Sequence, residues 1–500
     1  MMVNTMTTDN GRSAGAPPHL GRTRVRVYAV FCMIFILASA GAFGIEEMVS
    51  SSGPGLTILL LVLLPIIWSL PMALVASELG SALPGEGGFY MWVRRALGDF
   101  WGFQAGWWWA LSIFVDCSLY VVLAVSYLQS WFGFDQSTYY LVCWGVIAVG
   151  AAVNIIGVSL VAAGSTVFTV VVLLPFVVLS VLGFAQWQYN PVVPMMVPDA
   201  PLFGSDGVIA LGLVVGIWMY SGYESMSTLS GEIQNPQKVI PRALLFALPF
   251  IAVMYLLPVI ASLAGYGHWE TFGVEAGEGT VTFVEIARAL GGPALGVAML
   301  ASALVANLSL YLDYLASGAR PLFAFAEDGL FPKSIARISR RFGTPIGAIL
   351  LTAGINAVLV IGPFQKLVVI DVLLFASAYL LIFVAAVRLR IREPQLKRRF
   401  RIPLGTKGMI AMVIPPILIV MVLIYVNTID RSTEIFGTTG FSVFGLDVGW
   451  YGVAGLLALL SGPPVYALCK SVYGGPKTPS SEAGNEAIAI AEAEAAADEA

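Results

Sequence analysis

Charge is scarce in this chain. Asp, Glu, Lys and Arg make up 11% of its 500 residues, while 58% are hydrophobic; soluble domains carry about 25% charged residues. So few polar side chains cannot coat a water-facing surface, which excludes an ordinary soluble domain and leaves lipid as the natural solvent. Histidine is nearly absent: His19 and His268 stand alone, so no zinc site is expected. The four cysteines (Cys32, Cys117, Cys143, Cys469) fall in or beside apolar stretches and read as small packing residues, not as a disulfide framework. The net charge is only -4, and the basic residues lie in loops between apolar stretches, which argues against a nucleic-acid partner. No nucleophile with its base and no His/Asp cluster is legible, so neither an enzyme nor a cofactor is expected. No pore-loop signature or charged ring suggests a channel, and no loop is long enough for a receptor's signalling domain.

What the chain does have is long apolar runs. Stretches of about 20 residues mark membrane helices, and they predict an all-α integral membrane protein of about 12 spans. These lie near 27–50, 54–79, 100–132, 138–158, 161–187, 207–231, 241–265, 293–325, 346–362, 366–389, 408–428 and 449–469. The first follows a long polar arm and lacks a small-residue cleavage pattern, unlike a signal peptide. The arm, residues 1–26, and the Ala/Glu-rich tail, 470–500, are low in structure signals; the tail reads as disordered or as an exposed helix. All but three of the 26 Lys and Arg residues (Arg288, Lys366 and Arg431) fall on alternate loops. By the positive-inside rule both termini are cytoplasmic, in a multi-pass protein of the cell membrane.

Two spans are interrupted. The first contains Ser39-Ala40-Gly41-Ala42-Phe43-Gly44-Ile45-Glu46-Glu47, and the sixth contains Tyr220-Ser221-Gly222-Tyr223-Glu224-Ser225. Glycine weakens a helix by about 1 kcal/mol relative to Ala, and a charge at mid-bilayer costs about 2.5 kcal/mol or more. Irregular backbone at that depth survives only inside protein or beside a water-filled cavity. Five spans separate the two breaks, so the second group of five runs inverted to the first. Broken helices at matching positions of two inverted halves point to the central site of a secondary transporter. The competing reading is close packing at small residues, common in membrane helices. The expected organisation is one five-helix repeat over 27–206, a second over 207–390, and two further helices over 391–469.

At these residues the chain resembles the amino acid-polyamine-organocation superfamily of transporters. The resemblance rests on the interrupted first span and on Pro84-Gly85-Glu86-Gly87-Gly88-Phe89-Tyr90 after the second. It rests further on Gly222-Tyr223-Glu224-Ser225, Gly231-Glu232-Ile233-Gln234-Asn235-Pro236 and Ile240-Pro241-Arg242-Ala243, and on Ala326-Glu327-Asp328-Gly329-Leu330-Phe331-Pro332. Within the superfamily it is similar to polyamine uptake transporters of the plant and protozoan type and to L-type permeases. Phe43-Gly44-Ile45-Glu46, the run from Phe100 to Trp108, and Ser227-Thr228-Leu229-Ser230-Gly231-Glu232 carry that likeness. That group tends to have Trp-Asp where this chain has Tyr223-Glu224. The resemblance implies alternating access, a small organic substrate and a coupling ion.

An amino-acid carrier holds its substrate's carboxylate on bare N–H groups at a broken helix, and such family members keep that stretch small. Here Phe43 is bulky and Glu46 and Glu47 are acidic, a pattern that suits a cation without its own acid group, such as a polyamine; an amino acid is the alternative. The expected substrate residues are Gly41, Phe43, Gly44, Glu46, Asp116, Tyr120, Trp218, Ser221, Tyr223 and Asp313. Asp116 and Tyr120 lie four apart and share a helix face. Trp218 matches a gating aromatic of the family and can attract cations through its ring. Each of these also has a packing role as its plainer reading: Glu46 pointing away, Asp116 bonded to a neighbouring helix. The resemblance links Glu224 to proton-dependent gating, and a proton is the expected coupling ion; Ser302 and Ser309 leave sodium open. Asp313 is a third candidate amine anchor and Asp371, in the tenth span, a further one; Asn307 and Tyr311 are polar residues in the same span as Asp313.

Overall fold

The computed structural model describes residues 41–83, 88–202, 207–222, 236–274, 280–332, 334–335, 338–339, 341–398, 400–429, 441–443, 446–448, 450–476 and most of 478–489, together with Phe31, Phe35 and Ser39. Among them, eight helices are long and apolar enough to cross a membrane, and three shorter apolar ones accompany them. In chain order the helices are α1 (Ile45–Ser52), α2 (Pro54–Ala82), α3 (Phe89–Leu97), α4 (Asp99–Phe132), α5 (Gln136–Ile156), α6 (Val158–Ala185) and α7 (Val208–Met219). They continue with α8 (Pro236–Gly265), α9 (Phe283–Glu327), α10 (Ile346–Leu359), α11 (Phe364–Arg392), α12 (Gly405–Ile429), α13 (Trp450–Leu460) and α14 (Gly462–Tyr473). The all-α expectation of about 12 spans holds. One addition is a small antiparallel pair, β1 (Phe441–Val443) and β2 (Leu446–Val448), before the last span. The expected start of the eighth span at 293 coincides with a kink, for α9 has Gly292 at φ 76°.

Burial separates axis from rim. The long helix α4 is almost wholly enclosed and packs along both α9 and α11. Around it, α5, α6 and α12 turn apolar side chains outward: Leu141 is 64% exposed, Leu174 62% and Leu418 58%. A water-facing protein would not leave such bands bare, whereas a lipid-facing one needs them. Glycines let the axis pack closely. A Cβ on Gly318 would sit 2.1 Å from Ile113, and one on Gly150 would sit 2.2 Å from Tyr311. Two tryptophans at the start of α4 tie on the last span, through Trp107 Nε1 to Ser461 Oγ (2.8 Å) and Trp108 Nε1 to the Leu459 carbonyl (2.8 Å).

The basic face is stitched by buried ion pairs. Glu78 at the end of α2 is paired with Arg390 of α11, whose Nε donates at 2.7 Å, and lies 3.2 Å from Arg398 Nε. The Ile402 N–H adds a bond to the same carboxylate at 2.8 Å. On the short helix α3, Arg94 bonds Asp99 (2.7 Å), Asp328 (3.0 Å) and the Thr478 carbonyl (2.5 Å). Arg95 forks onto Glu393 and reaches Asn485 at 2.8 Å. Burial, with the Asp328 carboxylate bonded to its hydroxyl, holds the Tyr90 phenol well above its usual range. These contacts correct one expectation: the described part of the tail lies docked on α3. The correction has a physical reason, since the backbone carbonyl of Thr478 offers the buried Arg94 a partner that tail composition does not reveal.

Removing one partner of a buried pair strands the other. Glu78→Ala should therefore cost about 3–5 kcal/mol, read as a lower thermal midpoint of the detergent-solubilised protein. Truncation before Thr478 removes hydrogen bonds worth about 1 kcal/mol each and should lower the midpoint less.

Candidate functional site

Both breaks open onto one space. At the first, Gly41 (φ 101°) and Gly44 (φ 98°) take backbone conformations that L side chains rarely adopt. Crowding adds to the constraint: a Cβ on Gly41 would lie 2.8 Å from the Phe176 ring, and one on Gly44 3.0 Å from Trp218. At the second, α7 ends at Met219 and Gly222 sits at φ 98°. The carbonyls freed there need partners, since each left bare in hydrocarbon would cost several kcal/mol. Tyr255 on α8 donates to the Met219 carbonyl (2.9 Å), and Ser69 on α2 donates to the Tyr220 carbonyl (3.0 Å). Trp68 Nε1 meets Ser221 Oγ at 3.2 Å. Ser69 closes the π-helical turn Pro65–Ser69, so Pro65 and the bulge in α2 set the residues that receive the second break.

The space between the breaks is narrow, with room for about one water molecule. Ser39 and Phe43 line it from the first break, Trp218, Met219 and Ser221 from the second, Tyr120 and Leu123 from α4, Tyr255 from α8, and Asn307 and Leu310 from α9. Of the expected residues, Phe43, Tyr120, Trp218 and Ser221 face this space, while Gly41 and Gly44 shape its wall. Tyr223 and Glu224 lie outside the described residues. Phe43 packs against Tyr127 and Phe176, with ring centroids at 5.3 and 4.9 Å. Tyr120 stacks on Trp218 at 5.9 Å and meets Tyr314 with tilted rings at 5.3 Å.

Asp116 sits one helical turn from Tyr120 towards the basic face. Its Oδ1 accepts from Trp218 Nε1 at 2.9 Å and its Oδ2 from the Tyr120 hydroxyl at 3.2 Å. The carboxylate thereby holds the two aromatic rings that floor the space, and it meets no basic side chain among the described residues. Asp313, on α9 one turn beyond Leu310, is 5% exposed, and its Oδ2 has no hydrogen-bond partner among the described residues. No three His, Cys, Asp or Glu side chains gather as a metal site among the described residues.

Glu46 does not line the space. Its Oε2 accepts from the Gly44 N–H (2.8 Å), and its Oε1 from the Tyr127 hydroxyl (2.8 Å) and the Phe283 N–H (3.1 Å). It thus clamps the start of α1 to α4 and to the start of α9. Glu47 is spoken for as well, by the Val274 N–H (3.0 Å) and Gln365 Nε2 (2.7 Å). Sequence reasoning could not separate these two from Asp116, because apart from the Gly44 N–H their donors lie 81 residues and more away in the chain. It gave no role to Tyr127, Tyr255 or Ser112. The last of these could have been found, for Ser112, Asp116 and Tyr120 form an i, i+4, i+8 stripe.

A family model described as amino acid permease matches residues 27–446. The polyamine transporter PUT1 of Oryza sativa subsp. japonica is 35% identical over 441 residues, covering 87% of this chain and 80% of that protein. The polyamine transporter RMV1 of Arabidopsis thaliana is 33% identical over 407 residues, 81% of each. A probable polyamine transporter of the same plant is 34% identical over 394 residues, 78% of this chain and 79% of that one.

The Glu46 clamp is directly testable. Glu46→Ala strands three buried donors and should destabilise the detergent-solubilised protein by about 2–4 kcal/mol, seen as a lower thermal midpoint. An unchanged midpoint would mean that the carboxylate does not hold the break.

Proposed function

The chain belongs to the amino acid permease family and is a transporter of polyamines or amino acids; from that premise we propose that it carries polyamines, coupled to protons, across the cell membrane. The observation that carries the choice of substrate is Asp116, a buried carboxylate beside the central space whose partners among the described residues are an indole N–H and a phenol. A charge at such depth is costly unless it is paired. A substrate ammonium supplies that pairing, and the faces of Trp218 and Tyr120 add attraction for a cation. An amino-acid carboxylate would find the Gly44 N–H already bound by Glu46 and the Gly41 N–H bound to Ser39 Oγ at 3.2 Å. The curated relatives named as polyamine transporters support the same substrate.

In the mechanism we propose, an ammonium enters the space between the breaks and binds Asp116 in exchange for the Trp218 N–H. Release of the indole frees the aromatic floor. The half-helices on either side then rock about the breaks, where the chain is already irregular, and open the path to the basic face. That face is cytoplasmic in this reading, because Lys and Arg concentrate there. The five-helix halves over 27–206 and 207–390 are the moving units. Glu224, next to the second break in sequence, is the group that takes up and releases the coupling proton.

Uptake of labelled putrescine and spermidine into proteoliposomes tests this. Saturable uptake should be competed by amines and not by leucine, and should fall when an imposed proton gradient is collapsed. Asp116→Asn should reduce uptake at least about tenfold, the loss expected for a charge-assisted bond. Leucine-inhibitable uptake without polyamine transport would instead favour an amino-acid carrier.

A further inference from the structure

We infer that Asp371 on α11 binds the second ammonium of the substrate, so that the Asp116–Asp371 pair reads the spacing between two amines. The inference rests on the polyamine reading of the same site. Ser112 of α4 donates to Asp371 Oδ1 at 2.5 Å. Ser112 lies four residues before Asp116, on the same helix face and one turn nearer the basic face, so the two side chains are about 6 Å apart. Asp371 is thereby brought beside Asp116 from a helix that begins more than two hundred residues later, close enough for its carboxylate to feel the charge of Asp116. The interval suits two amines separated by a short alkyl chain.

The other buried acids of this protein show why Asp371 is not simply structural. Glu78 has two arginines and a backbone N–H. Glu46 has three neutral donors, and Glu47 has two. Asp371, 1% exposed, has among the described residues a single serine hydroxyl and a like charge for company. A carboxylate offers about four acceptor positions, and two carboxylates so close, with no base between them among the described residues, attract cations. A monoamine satisfies only one of them. A diamine satisfies both, which makes Asp371 a specificity-determining residue.

The test compares putrescine with butylamine, which has the same carbon chain and one amine fewer. Putrescine uptake and its inhibition by butylamine are measured in proteoliposomes for the intact chain, Asp371→Asn and Asp371→Glu. Thermal stabilisation of each purified protein by the two amines provides a readout that survives a loss of transport. Asp371→Asn should raise the KM for putrescine, or weaken its stabilising effect, by about tenfold or more, while the response to butylamine stays within about twofold. Asp371→Glu, which keeps the charge, should recover part of the putrescine affinity. Equal weakening of both amines, or of neither, would overturn the inference while leaving the polyamine reading intact. An intact chain that takes up no putrescine would overturn both.

Discussion

Breaking a helix in the middle of a bilayer is the constraint on which the rest of this structure depends. Each freed N–H or C=O that lacks a partner costs several kcal/mol in hydrocarbon, so the surroundings of the two breaks are built to receive them. Side chains from α2 and α8 take the carbonyls at the second break. At the first, the protein's own Glu46 takes an N–H and links it to α4 and α9. Even the π-turn in α2 serves the same end, since it sets Trp68 and Ser69 against Ser221 and Tyr220.

The buried acids divide according to what they meet. Some are consumed by structure, with arginines on the basic face or with backbone and side-chain donors at the break. Others, Asp116 and Asp371 foremost, retain capacity for a positive charge that no described basic side chain supplies. The difference separates residues consumed in holding the fold from residues with acceptor positions left over, and it follows from counting donors around each oxygen. It also explains how one family architecture can serve acids and amines. A carboxylate-binding site needs free N–H groups at the break; here two of them already have partners.

Aromatic packing connects recognition with movement. Trp218 stands between Tyr120 and Phe364, with its indole bonded to Asp116, so the charge state of one carboxylate bears on the floor of the central space. A ligand that competes for that carboxylate has a differential interaction with the two positions of the ring, which is what any ligand-driven conformational change requires.

Hydropathy and charge scarcity alone determined the membrane class, the spans and the interrupted helices, because these are properties of local sequence and of the solvent it can tolerate. Glycines next to carboxylates marked both breaks for the same reason. Which carboxylate holds the aromatic floor of the central space was decided only in three dimensions. Glu46 and Asp116 look alike along the chain, yet one meets Tyr127 and Phe283 and the other meets Trp218 and Tyr120. Asp371 gained its place beside Asp116 only when α11 packed along α4, and the tail gained its dock only when Arg94 lacked a last acceptor. Partners so far apart in sequence leave no local periodicity to read, so the electrostatics of the site belong to the tertiary structure.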